Sequence, residues 1–376
     1  MPNGGTHHCG NCHQFKNGIC SLRNEQIENS HWTTCRNWNS KVLTPTGVIF
    51  AIVGEVKNKA CSYNSIPYYN GLRVDTVQDG SNDTCVVLES KAGHKIVFKD
   101  IREYLAFYET ERMKKKDYIL GAVIGDIIGS VYEWNNVKTT KFPLFTKRTD
   151  FTDDSVLTFA TMESILNKTG YAKIYQAYGQ NYPDRGYGGN FASWIYDEDP
   201  QPYNSWGNGS AMRISPVGWA YDTIDEVLSQ AKRSAEVSHN HPEGIKGAQA
   251  TASAVFLART GKSKVEIREF VETMFDYDLN RSVEEIRPGY RFNESCQGTV
   301  PEAITAFLES TDFESAIRLA ISLGGDSDTI ACITGGIAEA FYGELPEYII
   351  ENALRVLPTE IIQLIEEFST RFRNGK

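Results

Sequence analysis

Leu323-Gly324-Gly325-Asp326-Ser327-Asp328-Thr329-Ile330-Ala331 stands between two stretches of helical periodicity, and it marks the part of the chain where helices organise the fold. Two carboxylates two residues apart, with a hydroxyl directly after them and a glycine pair before, form a compact set of hard oxygen donors. Donors of this kind favour Mg²⁺, Mn²⁺ or Ca²⁺ over softer metals. A second set lies far upstream at Thr152, Asp153 and Asp154. The sequence predicts that folding brings the two sets together around metal.

Working outward, apolar residues recur at helical spacing at Ile119, Leu120, Val123, Ile124, Ile127, Ile128, Val131 and Tyr132, which predicts a helix with a buried stripe. Gly121, Gly125 and Gly129 fall four apart on another face. Glycine costs helix stability, so three in one register predict another backbone packed very close. A tight crossing accounts for the glycines but less readily for Asp126 and Glu133 in the same region. Residues 153–166 read as a helix whose first turn carries the acids, with Thr152 near its cap, where dipole and free backbone donors favour carboxylates. Ordinary capping would explain Asp153 and Asp154 alone, and equally Asp326 and Asp328 ahead of a helix at 329–341. Two caps that each pair Thr with Asp favour metal binding.

Between these helices, residues 181–216 form an irregular stretch rich in Gly, Tyr and Trp, including Arg185-Gly186-Tyr187-Gly188-Gly189, Tyr203-Asn204-Ser205-Trp206 and Gly207-Asn208-Gly209-Ser210-Ala211-Met212-Arg213. A loop this long inside a compact domain is usually functional. Gly-Asn-Gly-Ser can present backbone N–H groups to a phosphate, although the spacing matches neither the Walker A loop nor the dinucleotide fingerprint. Downstream, Ser238-His239-Asn240-His241-Pro242 precedes a helix of small residues at 247–259. Its histidines suit either capping and core roles or ligand contact; the hard-oxygen chemistry elsewhere assigns His239 a substrate or supporting role.

The bulk numbers agree with a folded, multidomain protein. At 376 residues the chain has room for two or three domains, and 41% hydrophobic with 23% charged residues lies far from the signature of disorder. The N-terminus lacks a basic n-region followed by an apolar one. The longest apolar stretch, 118–134, carries Asp126 and Glu133 and is shorter than the roughly 20 residues of a membrane span. A cytoplasmic protein without a membrane partner is the expectation. The net charge of −10 is uneven: residues 1–116 hold 15 basic against 11 acidic residues, and the remainder 23 against 37. The acidic part would repel a polyanion, so any nucleic-acid contact falls to the N-terminal part.

That N-terminal part divides again. Residues 1–40 contain Cys9, Cys12, Cys20 and Cys35, a set able to close a tetrahedral Zn²⁺ shell as a structural knuckle. An iron–sulfur cluster or reduced thiols are the alternatives. Residues 41–116 carry β-branched runs at 48–53, 72–77, 85–88 and 95–98 separated by turn formers, which predicts a small β-rich module, and then a charged connecting helix at 101–116.

Five separated motifs keep a common order: Gly121-Ala122-Val123-Ile124-Gly125-Asp126-Ile127-Ile128-Gly129 followed by Glu133, then Thr152-Asp153-Asp154, the 207–213 run, the 238–242 run, and Gly324-Gly325-Asp326-Ser327-Asp328-Thr329. In this the chain resembles the ADP-ribosylglycohydrolases, in the branch named for the dinitrogenase reductase-activating glycohydrolase, over about residues 117–345. The resemblance implies an all-α catalytic domain at 117–376, making the chain α+β overall, with a binuclear Mg²⁺ or Mn²⁺ centre. It implies Thr152, Asp153, Asp154, Asp326, Asp328 and Thr329 as metal ligands and Glu133 as the acid near the metals. Asn208, Gly209, Ser210 and Met212 would belong to the loop holding diphosphate and ribose, with Tyr187 or a neighbouring aromatic stacking on adenine. The expected reaction is metal-dependent cleavage of a glycosidic bond in ADP-ribosylated proteins or small molecules. Asp153 or Asp154 would take the proton of water, with Asp326 the alternative. A nucleotide phosphoesterase and a non-catalytic ADP-ribose-binding module are the competing readings.

Overall fold

The computed structural model describes residues 118–373 and, before them, six short strands. The chain divides into two compact units, Met1–Lys116 and Asp117–Lys376. In the first unit β1 (Phe15–Lys16), β2 (Ile19–Cys20) and β3 (Glu25–Gln26) pair in order, as do β4 (Leu72–Gln78), β5 (Thr84–Ser90) and β6 (Lys95–Phe98). Both sheets are antiparallel; Asp75 opposes Val87, and Val87 opposes Val97. The expected run at 48–53, the helix at 101–116 and Cys9, Cys12 and Cys35 lie outside the described residues, as does the side chain of Cys20.

The second unit is helical. Its helices are α1 (Gly121–Gly129), α2 (Asp153–Asn167), α3 (Tyr171–Asn181), α4 (Gly189–Trp194), α5 (Gly209–Met212), α6 (Ser215–Ala220), α7 (Ile224–Glu236) and α8 (Pro242–Arg259). Then follow α9 (Lys264–Phe275), α10 (Val283–Ile286), α11 (Cys296–Glu309), α12 (Phe313–Ser322), α13 (Ser327–Tyr342), α14 (Glu347–Leu354) and α15 (Thr359–Phe372). Among the described residues no helix is long and apolar enough to cross a membrane.

The packing begins with α1 against α13. Every residue of α1 is buried, so the expected single stripe is instead a helix enclosed on all sides. Its glycines meet the backbone of α13: a Cβ at Gly121 would stand 2.4 Å from the Gly335 oxygen, one at Gly125 2.0 Å from the Ala331 oxygen, and one at Gly129 2.5 Å from the Asp328 Cα. No other residue permits that approach. The helix N-terminus is closed by Glu339 of α13, whose fully buried carboxylate accepts from Leu120 N at 3.0 Å and Gly121 N at 2.7 Å. Arg373 pairs with Glu339 at 2.5 Å, and the same Nη1 donates to the Tyr118 oxygen at 2.7 Å. Nearby, Ile119 N donates to Ser369 Oγ of α15 at 2.7 Å.

Around this pair the small-residue helix α8 supplies a second close surface. It begins at Pro242, five residues before the expected 247, because His241 caps it through Nδ1, which accepts from Glu243 N at 3.1 Å.

The α1–α13 contact leaves Gly125 no freedom. Gly125→Ala should destabilise the unit by about 3 kcal/mol, the upper part of the overpacking range, and lower its melting temperature by roughly 6–12 °C. Gly170→Ala is the control, because its Cβ meets no atom within 4 Å. Thermal melts of the two variants against wild type check the contrast.

Candidate active site

The acids converge because three helices end or begin at one point. Asp126 sits within α1, Asp153 and Asp154 in the first turn of α2, and Asp326 and Asp328 at the start of α13. Asp126 is the fully buried organiser. Its Oδ2 accepts from Thr152 N at 2.9 Å and Ser155 N at 3.1 Å, its Oδ1 accepts from Thr152 Oγ1 at 2.6 Å, and the Ser155 hydroxyl also donates to it. Thus a carboxylate on α1 caps α2 and sets where Asp153 and Asp154 stand.

Across the gap, Thr329 Oγ1 donates to Asp154 Oδ2 at 3.2 Å, and Asn208 Nδ2 donates to Asp326 Oδ2 at 2.6 Å. Asp326 is the N-cap residue of α13 but makes no side-chain capping bond. Helix capping therefore does not explain its carboxylate.

One oxygen each from Asp126, Asp154 and Asp328 lie within 4.8 Å of one another, and the same holds for Glu133, Asp326 and Asp328. Asp328 belongs to both triads. Asp154 Oδ1 and Asp328 Oδ1 are buried without a hydrogen-bond partner, a costly state for carboxylate oxygens. Burial, then the charge of Asp328, pushes the proton affinity of Asp153 and Asp154 well above the usual range; burial and Asp326 do the same to Asp328. Burial lifts Asp326 to about 6, against the opposing bonds from Asp328 and Asn208. Burial lifts Glu133 to about 7, with Asp328 and Asp126 adding to the effect. Orphaned oxygens and crowded like charges are both relieved by a hard dication, so the donor set fits the metals that the sequence predicts.

The acids form one end of a cavity of 280 Å³. Glu133, Thr152, Asp153, Asp154, Asp326, Asp328 and Thr329 all line it, together with Asn208, Gly209, Met212 and His239. Gly207 and Gly209 let the loop run beneath His239: a Cβ on Gly209 would stand 3.0 Å from its Nε2. Two expected residues face elsewhere. Ser210 is fully buried and donates to the Gly244 oxygen at 2.7 Å. Tyr187 donates to the Tyr182 oxygen at 2.9 Å and packs 5.8 Å from Phe191, while it is Phe191 that lines the cavity.

The sequence reading passed over Asp126 as a site residue, although one acid in the apolar run 119–132 was a usable signal. It also passed over Arg213, Phe292 and Glu294, which line the cavity. The last two lie in a segment without periodicity, and nothing local marks them.

Comparisons with known proteins bear on the family. The family model described as ADP-ribosylglycohydrolase matches residues 109–376. The mouse protein named ADP-ribosylhydrolase ARH3 is 29% identical over 315 residues, covering 61% of this chain and 84% of the relative; its human counterpart is 27% identical, covering 61% and 86%. A mimivirus protein named putative ADP-ribosyl glycohydrolase L543 is 24% identical, covering 67% of this chain and 94% of its own. A solved structure titled ADP-ribosylglycohydrolase-related protein complex superposes with a TM-score of 0.53 at 25% identity, covering 69% of this chain and 99% of that one. A helical unit with carboxylates gathered in one cavity, and a family match over its whole length, place the chain in the ADP-ribosylglycohydrolase family of glycosidic-bond hydrolases.

Proposed function

We propose that the chain releases ADP-ribose from ADP-ribosylated proteins or small molecules in the cytoplasm, using a pair of Mg²⁺ or Mn²⁺ ions. The observation that carries this reading is the double triad sharing Asp328, with two orphaned carboxylate oxygens inside it. Thr152, Asp153, Asp154, Asp326, Asp328 and Thr329 would hold the ions, and Asp126 orients the first three from behind through Thr152 and Ser155. When bound, such ions would neutralise the cluster, orient ribose hydroxyls and acidify water.

Hydrolysis forms one bond from water oxygen to the anomeric carbon as the glycosidic bond breaks, through an oxocarbenium-like state. Water must lose a proton and the leaving group must gain one. Asp153 lines the cavity with a raised proton affinity and is assigned the acceptor role. Glu133, which lines the cavity beside Asp326 and Asp328, is assigned as donor to the leaving group. Asn208 holds Asp326 in place, while the 207–212 loop and His239 take the diphosphate and ribose. Phe191, supported by Tyr187, offers the aromatic face for adenine.

Release of ADP-ribose from a modified protein should fall at least about a hundredfold in Asp153→Ala and in Asp326→Ala, the scale of losing a proton acceptor. EDTA should abolish it in wild type. Full activity in both variants, or orthophosphate as the product, would refute the assignment.

The pKa directions give a second test without turnover. Groups raised in the folded state favour folding at low pH and cease to do so as pH rises through their folded values, here about 6 for Asp326 and about 7 for Glu133. The metal-free unit should therefore lose stability from this cluster between about pH 4 and pH 7. Saturating Mg²⁺ should raise the melting temperature by about 5 °C at pH 7.5, and by much less at pH 5. In EDTA, Asp326→Asn should melt above wild type at pH 7.5; scanning fluorimetry reads both.

For residues 1–40 the proposal is a zinc knuckle held by Cys9, Cys12, Cys20 and Cys35, followed at 41–116 by a β-rich module and connector. Its positive balance suits a recognition or targeting role. Elemental analysis of the purified chain should find one zinc, lost on replacing Cys9 and Cys12 by serine.

A further inference from the structure

Arg213 follows Met212 at the end of α5 and has no solvent exposure. A buried guanidinium ordinarily faces a carboxylate, but the partners here are neutral. Its Nη2 donates to the Ser234 oxygen at 2.8 Å and to Ser238 Oγ at 3.1 Å, and its carbon lies 4.3 Å from the centre of the Tyr175 ring. Nε and Nη1 have no hydrogen-bond partner. This side chain borders the cavity at the wall carrying His239.

Guanidinium can only donate. Ser238 Oγ therefore accepts from Arg213, and its own proton is left for another acceptor. His239 Nδ1 lies 2.8 Å from that oxygen. With that proton given to Nδ1, the chain from Arg213 through Ser238 to His239 runs in one direction. Burial, reinforced by the Arg213 charge, holds His239 neutral. A neutral imidazole whose Nδ1 accepts must carry its proton on Nε2. Nε2 lies over Gly207 and Gly209 and has no protein partner among the described residues.

We propose that Arg213 and Ser238 are positioning residues that hold His239 in the Nε2–H tautomer, so that the cavity presents an uncharged donor to a diphosphate oxygen, with the Arg213 charge behind it attracting the anion. The ligand half of this rests on the reading of the cavity as an ADP-ribosyl site. The tautomer half rests on the Arg213–Ser238–His239 chain alone.

Long-range ¹H–¹⁵N correlation of the histidine rings in the full chain, near pH 7, reads the tautomer, with His239→Gln identifying the His239 signals. The expected wild-type pattern is a protonated Nε2 and an unprotonated Nδ1. Ser238→Ala should leave a mixture of the two tautomers and weaken ADP-ribose binding by about five- to tenfold in calorimetry. A wild-type Nδ1–H ring or an imidazolium overturns the proposal whatever the activity. So does a Ser238→Ala protein with unchanged tautomer and affinity. A wild-type Nε2–H ring in a protein that does not bind ADP-ribose supports the tautomer assignment and overturns the reading of the cavity.

Discussion

The site depends on how closely two backbones can approach. With glycines at 121, 125 and 129, α1 lies against α13 at distances that no side chain could occupy. That contact brings Asp126 next to Asp328, although about two hundred residues of chain separate them. Because Asp126 then caps α2 through Thr152 and Ser155, the position of Asp153 and Asp154 is inherited from the same contact. Three segments remote in sequence thus share one geometric reference. The chemistry is placed by the main chain, and the side chains follow.

The resulting cavity is electrically polar. Its lining gathers carboxylates whose burial and mutual repulsion favour protonation, and also a guanidinium whose hydrogen-bond partners are neutral. An ADP-ribosyl group has a complementary division, with ribose hydroxyls near the reacting carbon and a doubly negative diphosphate further along. In the proposed function, the unfavourable electrostatics of both groups would become favourable contacts once cations and anion were in place. Stability conceded in the free protein would then be returned on binding, as is usual at functional sites.

Much of this was legible from sequence because it depends on local chemistry. The glycine register predicted the close crossing, and Thr152–Asp154 with Asp326–Thr329 predicted two acidic turns that meet. For Asp326 the capping alternative fails, since its carboxylate bonds Asn208 and leaves its own helix uncapped. Asp126 was harder to see, because a single acid in an apolar run does not reveal which backbone it faces. Arg213 looked like the tail of a glycine-rich motif, and its burial beneath Tyr175 arises from tertiary packing. Tyr187 and Ser210 sit among cavity-lining neighbours but are turned aside by the Tyr182 and Gly244 carbonyls. Composition cannot encode the direction of a side chain in an irregular loop.

The closure at Glu339 bears on how such a unit can be inherited. Tyr118, Ile119 and Leu120 at its beginning and Ser369 and Arg373 near its end are tied within one small polar knot. Entry and exit of the polypeptide therefore lie side by side, away from the acids at the far end of α1. A segment with that property can be spliced into other gene architectures, or reordered by joining its old ends and opening a surface loop, without disturbing the cavity. The knot makes the catalytic unit portable.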